Sequence, residues 1–347
     1  MGWLTALLGS QIMADDLRIG IIGLDTSHSE QFTLRLNDPA NPNHIPGARV
    51  VVAFPAGSPD IEESKSRIDG FTATVRDKFG VRIVSSVPEA CKDVDAVLLL
   101  SLEGRPRLEL MKQVIAAGKP VFMDKPVAAT LKDAVEIYKL ATTAQVPVFS
   151  ASAVRWYPGV LEVANAEKTP ARGVISYGPA HVLPHHPDLF FYGIHPTEAL
   201  FTVMGGGCLS VTRTTTPSES VVTGLWSGDR LGTLHAIHEG AKGYKLIRFG
   251  DAQITEQKSE GDYTPMLREI VKFFQTKQPP VSPKQTLEIY AFMEAAEESK
   301  RRDGARVTLR DVMVKAGAPE AWLPEDGKAR PPQPKSVPKG LPQPGGS

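Results

Sequence analysis

The chain has 347 residues, with 39 lysines and arginines balanced by 39 aspartates and glutamates. This length allows one or two domains with a sizeable core, and zero formal charge supplies no long-range field for nucleic acid or an anionic membrane surface. Cys91 and Cys208 lie far apart with no C-x-x-C spacing, so neither a disulfide framework nor a thiolate metal site is expected, and no apolar run approaches the ~18 to 20 residues that cross a bilayer.

In chain order, "WLTALLG" followed by "SQIMA" reads as a short apolar core ahead of a small-residue cleavage site, with no basic segment before it. Residues 1–15 are expected to be a leader or possible signal segment, which tilts localisation towards export, with the cytoplasm as the alternative. Next come the apolar runs "RIGIIG", "ARVVVAF", "VRIV", "DAVLLLS", "PVFM" and "VPVFS", unbroken as in strands covered on both faces. Amphipathic stretches such as 105–118 and 130–144 separate them, with Thr130 placed for an N-cap and Gly118 for a C-cap. Residues 16–150 should therefore form an α/β domain, a doubly wound parallel sheet that takes ligands at the carboxyl ends of its strands.

After Arg155 the pattern changes. Segments 173–178, 208–215, 220–227, 230–237 and 243–250 read as a mainly antiparallel meander with turns at "SGDR" and "HEGAKG". Helical patterns over 191–205, 263–276 and 283–302 flank it, giving an α+β domain over 151–317. Residues 318–347 are Pro-rich and read as a tail.

The segment after the first strand is informative. Aligned on Gly23, the dinucleotide pattern G-x-G-x-x-G becomes "G-L-D-T-S-H", so Asp25 and His28 stand where glycines belong. A carboxylate there disfavours phosphate unless a cation intervenes. The acid expected about 20 residues on, at the end of the second strand, is also missing, for "VVAFPAGSPD" supplies Phe54 and Pro55. Two readings stay open: a variant turn in which Asp25 and Ser27 serve as helix caps, or loss of the cofactor.

The run "AAGKPVFMDKPVAATLKDAVEIYKLATTAQVPVFSAS" resembles the Gfo/Idh/MocA oxidoreductases, whose Rossmann domain ends in a strand followed by Glu-Lys-Pro, here Asp124-Lys125-Pro126. The resemblance extends from about Asp16 to about Val314. It implies a Rossmann domain with an NAD or NADP site along Gly23, Asp25, Thr26, Ser27, His28, Ser101, Asp124 and Lys125, and it makes Lys125 the first catalytic candidate. "FFYGIHPTEAL" is similar to the family's Asp-x-x-x-His helix: His195 takes the histidine position and Glu198 the later acid, while Phe191 replaces the aspartate. Tyr192 or Asp188 are then the substitutes available to orient His195. Arg107 stands where the family carries histidine after the fourth strand.

Arg155, Trp156, Tyr157, His181 and Tyr192 are expected to line a carbohydrate pocket, although 155–157 can equally pack the domain junction. His181, His185 and His186 lack the spacing of a strong metal site. Three functions remain in play. The first is NAD(P)-dependent hydride transfer on a sugar, polyol or related carbohydrate, with Lys125 and His195 as acid/base groups. The second is a metal-assisted lyase or hydrolase using Asp25, His28, His195 and Glu198. The third is a carbohydrate-binding protein without cofactor. A homo-oligomer, dimer or tetramer, is implied by the resemblance.

Overall fold

A computed structural model describes residues 16–183 and 185–324; the expected leader lies outside them. Six strands, β1 (Leu17–Ile22), β2 (Ala48–Phe54), β3 (Arg82–Ile83), β4 (Ala96–Leu99), β5 (Val121–Met123) and β6 (Val148–Ser150), make one sheet in the order β3-β2-β1-β4-β5-β6. Every pairing is parallel. The unbroken apolar runs belong to this burial: each residue of β4 and β5 is buried. The order reverses between β1 and β4, and the crevice outside their carboxyl ends is where such sheets take ligands. Thr130 caps the helix Leu131–Thr143 by accepting from the Asp133 amide at 3.0 Å.

A linker from Ser150, with a 3-10 turn over Ala153–Trp156, leads into the second domain. There β7 (Gly173–Pro179), β8 (Cys208–Thr215), β9 (Glu219–Trp226), β10 (Arg230–Ile237), β11 (Lys245–Phe249), β12 (Ile254–Glu256) and β13 (Val307–Thr308) form a sheet in the order β12-β11-β7-β10-β9-β8-β13. It is a meander only from β8 to β10, since β7 joins β10 in parallel. The helix Ile194–Met204, which leaves β7 and returns to the opposite edge, makes that pairing possible. It is buried almost all round, wedged between this sheet and the linker.

Late in the chain, the helix Thr264–Thr276 crosses back to the first domain. Met266, Leu267, Ile270 and Phe273 join the core beneath β1, each contributing about 1.5–3 kcal/mol through burial. The first domain is thus joined to the second by the linker and by this helix. A 3-10 turn spans Glu320–Trp322, and Leu323 is buried. Among the described residues no helix is long and apolar enough to cross a membrane.

Candidate active site

The turn after β1 is built on Gly23, whose φ is +100°. A Cβ there would meet the Ser101 amide nitrogen at 2.2 Å, so only glycine lets β1 and the loop after β4 approach this closely. The next helix, Ser27–Asn37, is capped by neither Asp25 nor Ser27, as the sequence suggested, but by Thr26, which accepts from the His28 amide. Asp25 points elsewhere. Its fully buried carboxylate accepts from the Leu102 amide at 2.9 Å and from Ser64 Oγ at 2.7 Å. Burial raises its pKa, with both hydrogen bonds opposing.

Across the crevice, β5 ends in Asp124-Lys125 with a cis bond to Pro126. Asp124 receives His28 Nδ1 at 2.5 Å. Burial pushes the Asp124 pKa up, but the neighbouring His28, Lys125 and Arg107 outweigh it and hold it down. Arg107, fully buried, donates to Ser101 Oγ at 2.8 Å, to the Asp124 carbonyl at 2.6 Å, and to the Ser101 carbonyl. It is a strut between the β4 and β5 loops.

Lys125 is half-buried, and burial lowers its pKa while Asp124 opposes. Its ammonium lies 5.5 Å from the Phe191 ring centre and 5.2 Å from that of Tyr192. Phe191, in place of the expected aspartate, therefore offers a π face to the lysine. His195 enters from the second domain, 5.0 Å from the Tyr192 ring. Burial holds its pKa well below the ordinary histidine value, helped by the charges of Lys125, His28 and His181. The first domain's lysine and the second domain's histidine thus share the Tyr192 ring as a neighbour.

The expected orienting partners of His195 are corrected. Asp188 is committed to Arg213 and Lys300, each at 2.6 Å, and Tyr192 gives only a ring contact. The partner is Ser152, with Oγ 2.6 Å from His195 Nδ1. The Ser152 backbone amide also donates to Glu198, one turn further along the helix. Glu198 pairs with Arg155 at 2.5 Å, so this acid joins helix to linker instead of opening onto the crevice. Burial raises the Glu198 pKa and Arg155 opposes.

Of the remaining wall residues, His181 stacks obliquely on Tyr192 at 4.0 Å, whereas Trp156 and Tyr157 pack against the core at the domain junction. The three clustered histidines diverge: His185 is exposed and His186 reaches Glu103 at 2.9 Å. Glu103 also accepts from Ser58 at 2.7 Å and pairs with Arg105. Among the described residues no three His, Cys, Asp or Glu side chains are grouped to hold a metal. The alternative set Asp25, His28, His195 and Glu198 is therefore not assembled; each is turned to a different partner.

Ser152, Ser64, Glu103 and Phe191 escaped the sequence reading as partners in the site. Ser152 carried a usable signal, a polar residue two positions after the last strand of the parallel sheet.

Residues 17–152 match the Gfo/Idh/MocA oxidoreductase family, described as having an NAD-binding Rossmann fold. This N-terminal domain belongs to that family. No curated protein matches the chain in sequence. The Gfo/Idh/MocA fold extends through the second domain in solved structures. Myo-inositol dehydrogenase from Lactobacillus casei in complex with NAD(H) and myo-inositol superposes with a TM-score of 0.67 at 15% identity, over 85% of this chain and 97% of that one. Apo scyllo-inositol dehydrogenase from the same organism gives 0.69 at 13%, over 85% and 98%. Myo-inositol 2-dehydrogenase from Lactobacillus plantarum gives 0.68 at 14%, over 85% and 99%. At these identities the likeness is one of fold.

The family implies a dinucleotide, and the residues at the phosphate end do not fit one as they stand. Asp25, at the position of the pattern's second glycine, puts a buried carboxyl group bonded to Leu102 and Ser64 into the turn, and β2 ends in Phe54 without an acid. Tyr263 hydrogen-bonds Ser27 at the start of the helix Ser27–Asn37 and packs edge-on to His28 at 4.6 Å.

Proposed function

We propose that the protein acts on a sugar, polyol or related carbohydrate, as an enzyme of this oxidoreductase family, with Lys125 and His195 as the groups that hold and move the proton of a reacting hydroxyl. What supports this reading is that the two residues, from different domains, share one neighbour: the Tyr192 ring lies 5.2 Å from the Lys125 ammonium and 5.0 Å from the His195 ring. A hydroxyl between them would donate to neutral His195, which burial and surrounding charge keep unprotonated, while the Lys125 ammonium stabilises the developing oxyanion. Ser152 fixes the ring of His195. The aromatic faces of Tyr192 and His181 suit the apolar face of a cyclic polyol.

Hydride exchange with NAD or NADP is the redox half that family membership supports. The residues at the phosphate end do not suit a dinucleotide as folded. That misfit favours a second reading, acid/base chemistry on the same substrates without a dinucleotide. A homo-oligomer, built on the open face of the second sheet, belongs to the same proposal.

The test is to incubate the protein with a panel of cyclic polyols and sugars, each with NAD, with NADP and with neither, and to follow NAD(P)H formation and product by mass spectrometry. NAD(P)H formation abolished by Lys125→Ala and by His195→Ala supports the first reading. Product formed without cofactor supports the second. Turnover unaffected by either substitution removes both.

A further inference from the structure

The phosphate end of the crevice holds an internal carboxyl group. The Asp25 carboxylate starts on the β1 turn, crosses to the Leu102 amide on the loop after β4, and also reaches Ser64 in the short helix after β2. One backbone N–H and one hydroxyl converging on an anion are the donors that a phosphate takes in such a turn. Ser64 is itself fixed, since its Oγ accepts from the Ser58 amide at 2.9 Å. Ile61 and Leu102, next to these partners in the chain, pack in one buried cluster with Leu183 and Phe191 of the second domain. Glu103 and His186 join the same two walls beside it at 2.9 Å.

We propose that Asp25 is a built-in competitor for the dinucleotide phosphates, so that a pyrophosphate-bearing nucleotide enters this turn only when the Asp25 side chain is displaced from Leu102 and Ser64. The inference concerns the phosphate end alone and is independent of what Lys125 and His195 do to substrate. Like charges at contact distance in a buried crevice disfavour simultaneous occupation. Removing the carboxylate frees both donors and the space. Binding should therefore improve on losing a side chain, the reverse of what a ligand-contacting residue would show.

The experiment is a fluorescence titration of the full chain with NADH and with NADPH, comparing wild type with Asp25→Gly and Asp25→Ser, folding being checked by circular dichroism. The expected result is binding at least about tenfold tighter in the folded variants than in wild type. Equal or weaker binding by a folded variant overturns the proposal. If both variants fail to fold, wild type decides alone: saturable micromolar binding overturns it, and no saturable binding supports it. Loss of the carbohydrate activity with the Asp25 result intact would count against the proposed function only.

Discussion

His28 and Asp124, 96 positions apart, meet at 2.5 Å across the mouth of the crevice, and each is a departure from the family pattern. His28 stands where a glycine is usual and Asp124 where the strand-ending motif has glutamate. The two departures are one feature. The imidazole stacks on Phe32 at 5.0 Å, and its Nδ1 reaches the carboxylate on the next-but-one strand of the sheet. The pair ties the first helix to the loop that carries Lys125.

Breaking this pair should be costly, because it strands a buried charge. His28→Ala is expected to destabilise the fold by about 3 kcal/mol. Asp124→Asn should do less harm in the His28→Ala background than alone, since the two losses overlap. Urea denaturation of the four proteins of the cycle checks this, and strictly additive losses would contradict the pairing.

Ser152→Ala should lower turnover on any substrate the protein accepts by roughly tenfold. The hydroxyl is the described orienting partner of the His195 ring nitrogen Nδ1. The loss should fall on kcat with little change in KM, and Ser152→Thr should restore most of it. An equal loss of stability and activity in both variants would mean that Ser152 only packs the linker.

His195 gives a pH expectation with a definite sign. Burial, then the charges of Lys125, His28 and His181, lower its folded pKa well below the ordinary value of 6.5. It therefore stays neutral, and usable as a base, as pH falls through the range where a free histidine gains a proton. Activity should hold at pH values somewhat under 6.5 and decline only further down. The same shift means that the unfolded chain binds the proton more readily, so its contribution to stability is full above 6.5 and is lost as pH falls towards the folded value. A pH–rate profile with an acid limb centred at the ordinary histidine value would contradict this.

Glu103 supplies a separate acid-range expectation. Burial alone would raise its pKa, but hydrogen bonds from His186, Ser58 and Arg105 outweigh this and bring it down to about 2 from 4.5. A lowered carboxylate stabilises the fold above its unfolded pKa and stops doing so as pH falls from about 4.5 to about 2. The contribution is about 3 kcal/mol near neutrality. Glu103→Gln should flatten the stability curve over that acid window, which melting temperatures measured from neutral to acid pH will register. An unchanged curve would show that Glu103 is not held by those partners.

Much of the fold was legible because the relevant forces are local and periodic. The unbroken apolar runs became the parallel strands, Thr130 caps the start of the helix Leu131–Thr143, and Gly118, with positive φ, follows the end of the helix Arg107–Ala116. The parallel β7–β10 pairing was not legible, since it depends on the path of a helix that periodicity describes only locally. In the site, Asp25, His28, Phe191 and Arg107 stood out as departures, yet their partners did not. Asp25 reaches Ser64 and Leu102, 39 and 77 residues on, and His195 reaches back 43 residues to Ser152. Such pairs follow from tertiary packing, and no spacing rule on one sequence specifies them. The aromatic contact of Phe191 with Lys125 was hidden because a phenylalanine reads as core until a cation is found over its face.

Whether Lys125 and His195 form one carbohydrate site is read by ligand-observed NMR with a panel of cyclic polyols and sugars, using wild type, Lys125→Ala and His195→Ala. At least one polyhydroxylated ring compound is expected to bind wild type, with its signal lost in both variants while their folds stay intact. A ligand that binds all three proteins equally well, or no binding by wild type to any member of the panel, would contradict it.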